Sequence, residues 1–269
     1  MTIASSILAL SPVHYWQFNE PPGSTSCADS GSNPVPIISQ GDPTGVGFPG
    51  PEIGTYAMRV YTTSLWKSAA LGLPTVFGDT SVSFFFTVPA AGGMSSNVTF
   101  FGMGDITTIH TRGYGSSQYS SAAGSLIIVT NWSNSNINWT VGSNVTSWHV
   151  YTVTQVASTG TRNAYLDGNL MQSVSGGLLS PGWLATDYAW ISSAQPVVFA
   201  HQAYWSRVLS AAEISTIGSQ IVSWPGNVPI NGAPPVSPAG GVTINPSDPS
   251  QAAQTDLLNK IYAAVHKTF

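Results

Sequence analysis

The chain has 269 residues, of which 7% are charged, with a net charge of −4 and three lysines, Lys67, Lys260 and Lys267. An ordinary soluble domain carries about 25% charged residues; the surface here must be built from Ser, Thr, Asn and Gly, which argues against charge-driven nucleic-acid binding and leaves little repulsion to oppose assembly. Cys27 is the single cysteine, so no internal disulfide framework exists.

In chain order, residues 3–10 are apolar but short and interrupted by Ser5 and Ser6, a pattern that fits neither a secretion signal nor a membrane span. Runs rich in β-branched and aromatic residues follow at 14–19, 56–61, 81–88, 97–103, 125–132, 136–141, 148–156, 163–166 and 197–208, separated by Gly, Pro, Ser and Asn. This spacing predicts a two-sheet antiparallel sandwich. The run 148–156 reverses through small residues around Gly160 and returns at 163–166. Asp167-Gly168 then reads as a two-residue hairpin, because a type I′ turn needs φ > 0 at both central positions. Leu170 and Met171 resume the chain, which predicts a three-stranded meander. Ser210 to Glu213 is a capping box: the hydroxyl can accept from the Glu213 N–H while the carboxylate reaches back to the Ser210 N–H. Leu209 and Ile214 occupy the positions of a hydrophobic staple. A long strand is therefore expected to run into a helix at 211–217.

The composition changes beyond residue 222. Pro225, Pro229, Pro234, Pro235, Pro238 and Pro246 recur with interspersed Gly, so 223–248 reads as an extended, semi-rigid arm. Residues 249–269 read as a terminal amphipathic helix, capped by Asp248 with Pro249 at its first position. Leu258, Ile261 and Val265 fall at a/d spacing, with Leu257 beside them. A helix this short is marginal alone. The long spacer favours packing against another molecule over docking back on the sandwich.

The amino-terminal sandwich, 1–222, resembles the concanavalin A-like lectin/glucanase superfamily and its laminin-G-like branch. The residues that carry the resemblance are His14-Tyr15-Trp16-Gln17-Phe18-Asn19-Glu20 with Asp29-Ser30-Gly31-Ser32-Asn33, the strand 81–88, Trp148-His149, Tyr165-Leu166-Asp167-Gly168 and Arg207-Val208-Leu209-Ser210-Ala211-Ala212-Glu213-Ile214. The resemblance implies an all-β jelly roll. It does not choose among lectins, glycosidases and adhesion modules, which share that fold.

Catalysis finds little support in the residues. Glycoside hydrolysis needs two carboxylates at a set separation, and the superfamily's Glu-x-Asp-x-x-Glu run is absent. Glu20, Glu52 and Glu213 are the only glutamates; Asp29, Asp105, Asp167 and Asp187 are isolated in sequence. No Gly-x-Ser-x-Gly elbow occurs. His14, His149 and His201 lie in strand patterns and read as hydrogen-bonded sandwich histidines. No cofactor is expected, although loop oxygens of Asp105, Asn131 and Asn134 are candidate calcium ligands, as in many relatives.

Saccharide binding fits better. Sugars are held by aromatic faces against their C–H surfaces and by planar amides and carboxylates. Trp16, Trp148 and Trp205 read as core. Three polar-aromatic segments read as loops: Asp105, Arg112, Tyr114 and Tyr119; Asn131, Trp132, Asn134 and Trp139 around a hairpin tip; and Trp183 with Tyr188. If they converge, they form a shallow site. The expected protein is a non-enzymatic bacteriophage virion component, tail- or fibre-like, that binds host cell-surface glycan. Its arm and helix (Leu257, Leu258, Ile261, Val265) would attach it to other virion proteins or to itself, a trimer being one candidate state. Neither nucleic-acid binding nor membrane insertion is expected. The rivals are a structural head or tail decoration protein and a glycan-degrading enzyme.

Overall fold

The computed structural model describes residues 2–222 except 41–44, 53, 61–64, 74–77, 88–97, 105–113, 119–125, 133–134, 142–146, 176–185 and 193–196. The arm 223–248 and the helix 249–269, with Leu257, Leu258, Ile261 and Val265, lie outside the described residues. In chain order the elements are α1 (Ile3–Leu8), β1 (His14–Trp16), β2 (Ser26–Cys27), β3 (Ile37–Ser39), β4 (Val46–Pro49), β5 (Tyr56–Val60), β6 (Leu65–Ala70) and β7 (Thr80–Thr87). They continue with β8 (Val98–Gly104), β9 (Tyr114–Gln118), β10 (Leu126–Trp132), β11 (Ser135–Val141), β12 (His149–Val156), β13 (Thr161–Leu166), β14 (Asn169–Val174), β15 (Tyr188–Ser192), β16 (Val197–Trp205) and α2 (Ala211–Val222).

The strands form two antiparallel sheets. The first runs β14-β13-β12-β7-β16-β5-β4, with β1 also paired to β16; the second runs β11-β10-β9-β8-β15-β6-β3-β2. The two-sheet antiparallel sandwich is thus the fold. Alternation along the central strands divides their side chains between two cores. Val82, Phe84 and Phe86 of β7, Tyr151 and Val153 of β12, and Phe199 of β16 pack between the sheets with Trp16, Trp66 and Met103. Phe85, Val150, Val198 and Ala203 point the other way, onto Ile3 and Ile7 of α1 and Ile214 and Ile217 of α2. Every residue of β7 and β16 is therefore buried. The first sheet has a helical layer on its back; α2 stands where a helix is expected, whereas α1 has no counterpart in the sequence analysis. Helix α1 starts at Thr2, whose side chain accepts from the Ser5 N–H, and the Glu52 carboxylate accepts from the Ile3 N–H at 3.0 Å.

The local signals have structural counterparts. Asp167 (φ +51°) and Gly168 (φ +80°) make the turn between β13 and β14, and β12–β13–β14 is the expected meander. Glu213 accepts from the Ser210 N–H at 2.7 Å, and Ser210 Oγ accepts from the Glu213 N–H at 3.3 Å. Arg207 adds a bidentate pair to Glu213, at 2.7 and 3.0 Å, and a bond to the Leu10 carbonyl. That pair, together with the Ser210 bonds, outweighs burial and holds the Glu213 carboxyl down at about 2. The helix runs to Val222, past the expected 217. Leu209 and Ile214, the staple pair, are both buried in the helix-side core.

Candidate functional site

Two histidine–aspartate pairs repeat one geometry. Asp29 accepts from His14 Nδ1 at 2.8 Å through Oδ2 and from the Tyr15 N–H at 2.7 Å through Oδ1. Asp167 accepts from His149 Nδ1 at 2.7 Å through Oδ2 and from the Val150 N–H at 2.8 Å through Oδ1. Each carboxylate thus pins a strand by a histidine and by the amide that follows it. Asp29 also accepts from the Gly31 and Val35 amides, both at 2.8 Å. Burial pushes the Asp29 carboxyl up, but the bonds from His14, Tyr15, Val35 and Gly31 outweigh it and leave the group below its ordinary range. Asp29 is isolated in sequence and central in space. His14 stacks on Trp16, with ring centroids 5.4 Å apart.

The third histidine lies under α1. His201 has φ +50°, next to a bulge in the β16–β7 ladder, and its Nδ1 shares a 2.7 Å hydrogen bond with the Tyr15 hydroxyl. Burial lowers the imidazole pKa to about 3, so the ring is neutral. Two further carboxylates also serve the fold: Glu20 accepts from the Ala28 N–H and Asp79 from the Ala157 N–H. Burial, with Glu20 beside it, pushes the Cys27 thiol up and keeps it protonated. Among the described residues no group of three or more His, Cys, Asp or Glu side chains could hold a metal ion.

A concave site lies elsewhere, on the second sheet. A groove of about 600 Å³ is lined by Ile38, Gln40, Lys67, Ser68, Ala69, Ala70, Thr186 and Tyr188. Its shape follows from strand order. Strand β6 ends in Ala69 and Ala70, whose small side chains leave a low floor. The flanking strands β3 and β15 raise Ile38 and Tyr188 on either side. On β6, Trp66 packs into the inter-sheet core, so Lys67 points outward beside its cross-strand partner Ile38. The Lys67 ammonium sits 3.6 Å from the centroid of the Tyr188 ring, over its face. Next along β15, Ala189 and Ile191 face the inter-sheet core, and Trp190 between them lies on the outer face. Its indole lies across Gly102 of β8, where any Cβ would overlap the ring.

Of the candidate sugar-binding residues, Tyr188 lines this groove. The sequence pattern places it in a loop, but it opens β15; likewise Tyr114 opens β9. Their stretches lack a β-branched run, and the ladders on both sides hold them extended. Register places several candidates at one end of the sheet. Tyr188 pairs with Gly104, and Tyr114 with the adjacent Met103, so the two tyrosines lie two strands, roughly 10 Å, apart. Thr130 pairs with Ser116, and continuing that register sets Trp132 level with Tyr114. Asn131 pairs with Asn136, next to the hairpin tip. Trp139 pairs with Ile128, four rows or about 13 Å back from that tip. Asp105, Arg112, Tyr119, Asn134 and Trp183 lie outside the described residues. The sequence reading missed Ile38, Gln40 and Lys67. Of these, Lys67 alone carries a signal in sequence, as one of three lysines.

No family model matches the chain, and no curated protein matches it. Solved structures do. The chain is similar to a botulinum neurotoxin type C structure whose report concerns cell entry dependent on two ganglioside molecules, with TM-score 0.59 and 10% identity over 80% of this chain and 52% of that one. It is similar to the botulinum neurotoxin serotype D ligand-binding domain in complex with N-acetylneuraminic acid, with TM-score 0.59 and 13% identity over 82% and 53%. A third is the binding domain of botulinum neurotoxin DC in complex with rat synaptotagmin II, with TM-score 0.58 and 10% identity over 78% and 52%. At these identities the likeness is one of fold. The chain spans about half the length of each of these neighbours.

Proposed function

We propose that the sandwich is a non-enzymatic saccharide-binding module and that the groove over β3, β6 and β15 is its site. The observation that carries this reading is the groove's composition. An exposed aliphatic wall (Ile38), an aromatic wall (Tyr188), an amide (Gln40), a hydroxyl (Thr186) and an ammonium (Lys67) converge on one floor of alanines. Apolar walls suit sugar C–H faces, and the polar groups supply directional bonds. The fold likeness to two botulinum neurotoxin structures, one whose report concerns ganglioside-dependent cell entry and one in complex with N-acetylneuraminic acid, supports the same reading.

The neutral surface and the proline-rich arm support a wider assignment. The protein is a bacteriophage virion component, tail- or fibre-like, whose sandwich meets host cell-surface glycan. Its arm and terminal helix join it to other virion proteins or to its own copies.

The test is a glycan panel probed with the full chain and with Tyr188→Ala. The expected result is saturable binding to one saccharide class. Affinity should fall at least about tenfold in the variant, as expected when an aromatic anchor is removed, while the melting temperature stays close to that of the parent. Absence of binding, or binding that Tyr188→Ala leaves intact, overturns the assignment; the first result would favour a purely structural decoration protein.

A further inference from the structure

We infer that the groove selects a carboxylate-bearing sugar, with the Lys67 ammonium as its carboxylate receptor. The inference rests on the saccharide reading of the same groove and goes beyond it by naming the ligand's charge. Three observations support it. Among the described residues, Lys67 is the only charged one lining the groove. None of the ion pairs among the described residues involves it. Its ammonium is also pre-placed. The Tyr188 ring face holds Nζ at 3.6 Å, so much of the side chain's rotamer freedom is lost before a ligand arrives. The ring occupies one side of the ammonium and leaves its other N–H donors for an anion in the groove. A ligand carboxylate there would complete a ring–ammonium–carboxylate stack, while its pyranose ring lies toward Ile38 and the Ala69-Ala70 floor, within reach of Gln40 and Thr186. In a chain with a net charge of −4, one unpaired ammonium in a concave, partly apolar site is a specificity element, since the low dielectric of its walls strengthens its pull on an anion.

The experiment compares four ligands by isothermal titration calorimetry on the full chain: N-acetylneuraminic acid as an α-glycoside, the methyl ester of that glycoside, glucuronic acid as a β-glycoside, and the matching glucoside. Each pair differs in the charged group, and the two pairs separate nonulosonic from uronic acids as the source. The parent protein is expected to prefer the acid of at least one pair by roughly ten- to a hundredfold, the value of a charge-assisted hydrogen bond. Lys67→Gln should abolish that preference and bind acid and neutral partner alike. Lys67→Arg, which keeps the charge, should retain most of it. Equal binding of acid and neutral sugars by the parent overturns this inference and leaves the saccharide site standing. A preference that survives Lys67→Gln also overturns it. No binding of any sugar, here or on the panel, overturns both.

Discussion

Asp29→Ala should be the most damaging single substitution in the sandwich. Its carboxylate is fully buried and accepts four hydrogen bonds, from His14 Nδ1 and the Tyr15, Gly31 and Val35 amides. Removing it strands three backbone donors and an imidazole N–H, each of which costs about 1–3 kcal/mol when left buried without a partner. The sum, about 4 kcal/mol or more, is a large share of the roughly 5–15 kcal/mol that a domain has in total. For a domain of this size that corresponds to about 10–15 °C in Tm. Asp29→Asn should cost about half as much. Its carbonyl can still serve Tyr15 and Gly31, but its NH₂ meets the Val35 N–H and His14 as donor against donor. The twin site calibrates the effect. Asp167 makes the same two strand-pinning bonds but is 23% exposed, so water can replace what is lost. Asp167→Asn also suits the positive φ of that turn position and should cost only about 1 kcal/mol. Thermal denaturation of the three variants checks the order. A Tm for Asp29→Ala within about 3 °C of the parent would contradict this account of the amino-terminal strand.

The second large effect is a dependence of stability on pH centred on His201. The free imidazole titrates near 6.5, whereas burial lowers the folded value to about 3. Between those values the unfolded chain binds a proton that the folded chain does not. Stability from this group is therefore fully present above pH 6.5 and falls as the pH drops through the window, by about 1.4 kcal/mol per pH unit at full effect. The Glu52 carboxylate, 3.9 Å from His201 Nε2, is too distant for a hydrogen bond that would hold the protonated ring. Asp29 acts in the same direction at lower pH, since its carboxyl is held below the ordinary range and its contribution is lost on protonation. His201→Asn removes the titrating group, fits the positive φ, and keeps a polar atom near the Tyr15 hydroxyl. Urea denaturation at pH 7, 6, 5 and 4 should show the parent losing stability more steeply than His201→Asn. Parallel curves would mean that His201 does not govern the acid limb.

These two predictions also mark what the sequence reveals. Signals confined to a few neighbouring residues were legible: the Asp167-Gly168 turn, the Ser210–Glu213 box, the Leu209/Ile214 staple, and the strands with dense β-branched or aromatic runs. Trp16, Trp148 and Trp205 could be assigned to the core for the same reason. Interactions that depend on distant segments were not. Asp29 looks isolated because its partners come from a strand 14 residues earlier and a loop after it. Strand β9, Tyr-Gly-Ser-Ser-Gln, carries little intrinsic β preference and is held by the strands that pair with it on both sides, while β15 has only five residues in which to show its own. Helix α1, six residues long, is stabilised by its burial against the first sheet and α2 and by the Glu52 carboxylate. The groove was least legible of all. It depends on β6 lying between β3 and β15, although β15 follows β6 by more than a hundred residues. Tyr188 could be picked out as an aromatic among polar residues, but Lys67 and Ile38 acquire their meaning only beside it.

The central claim is that the groove over β3, β6 and β15 is where a saccharide binds. Amide chemical-shift mapping on isotope-labelled full-length protein, titrated with the tightest saccharide from the panel, tests it most directly. The account predicts saturable shifts concentrated at residues 38–40, 67–70 and 186–188, with smaller changes at neighbouring positions on the same end of the sheet. Shifts that cluster on the β4–β5 edge or on α2, with the groove amides unmoved, would contradict it.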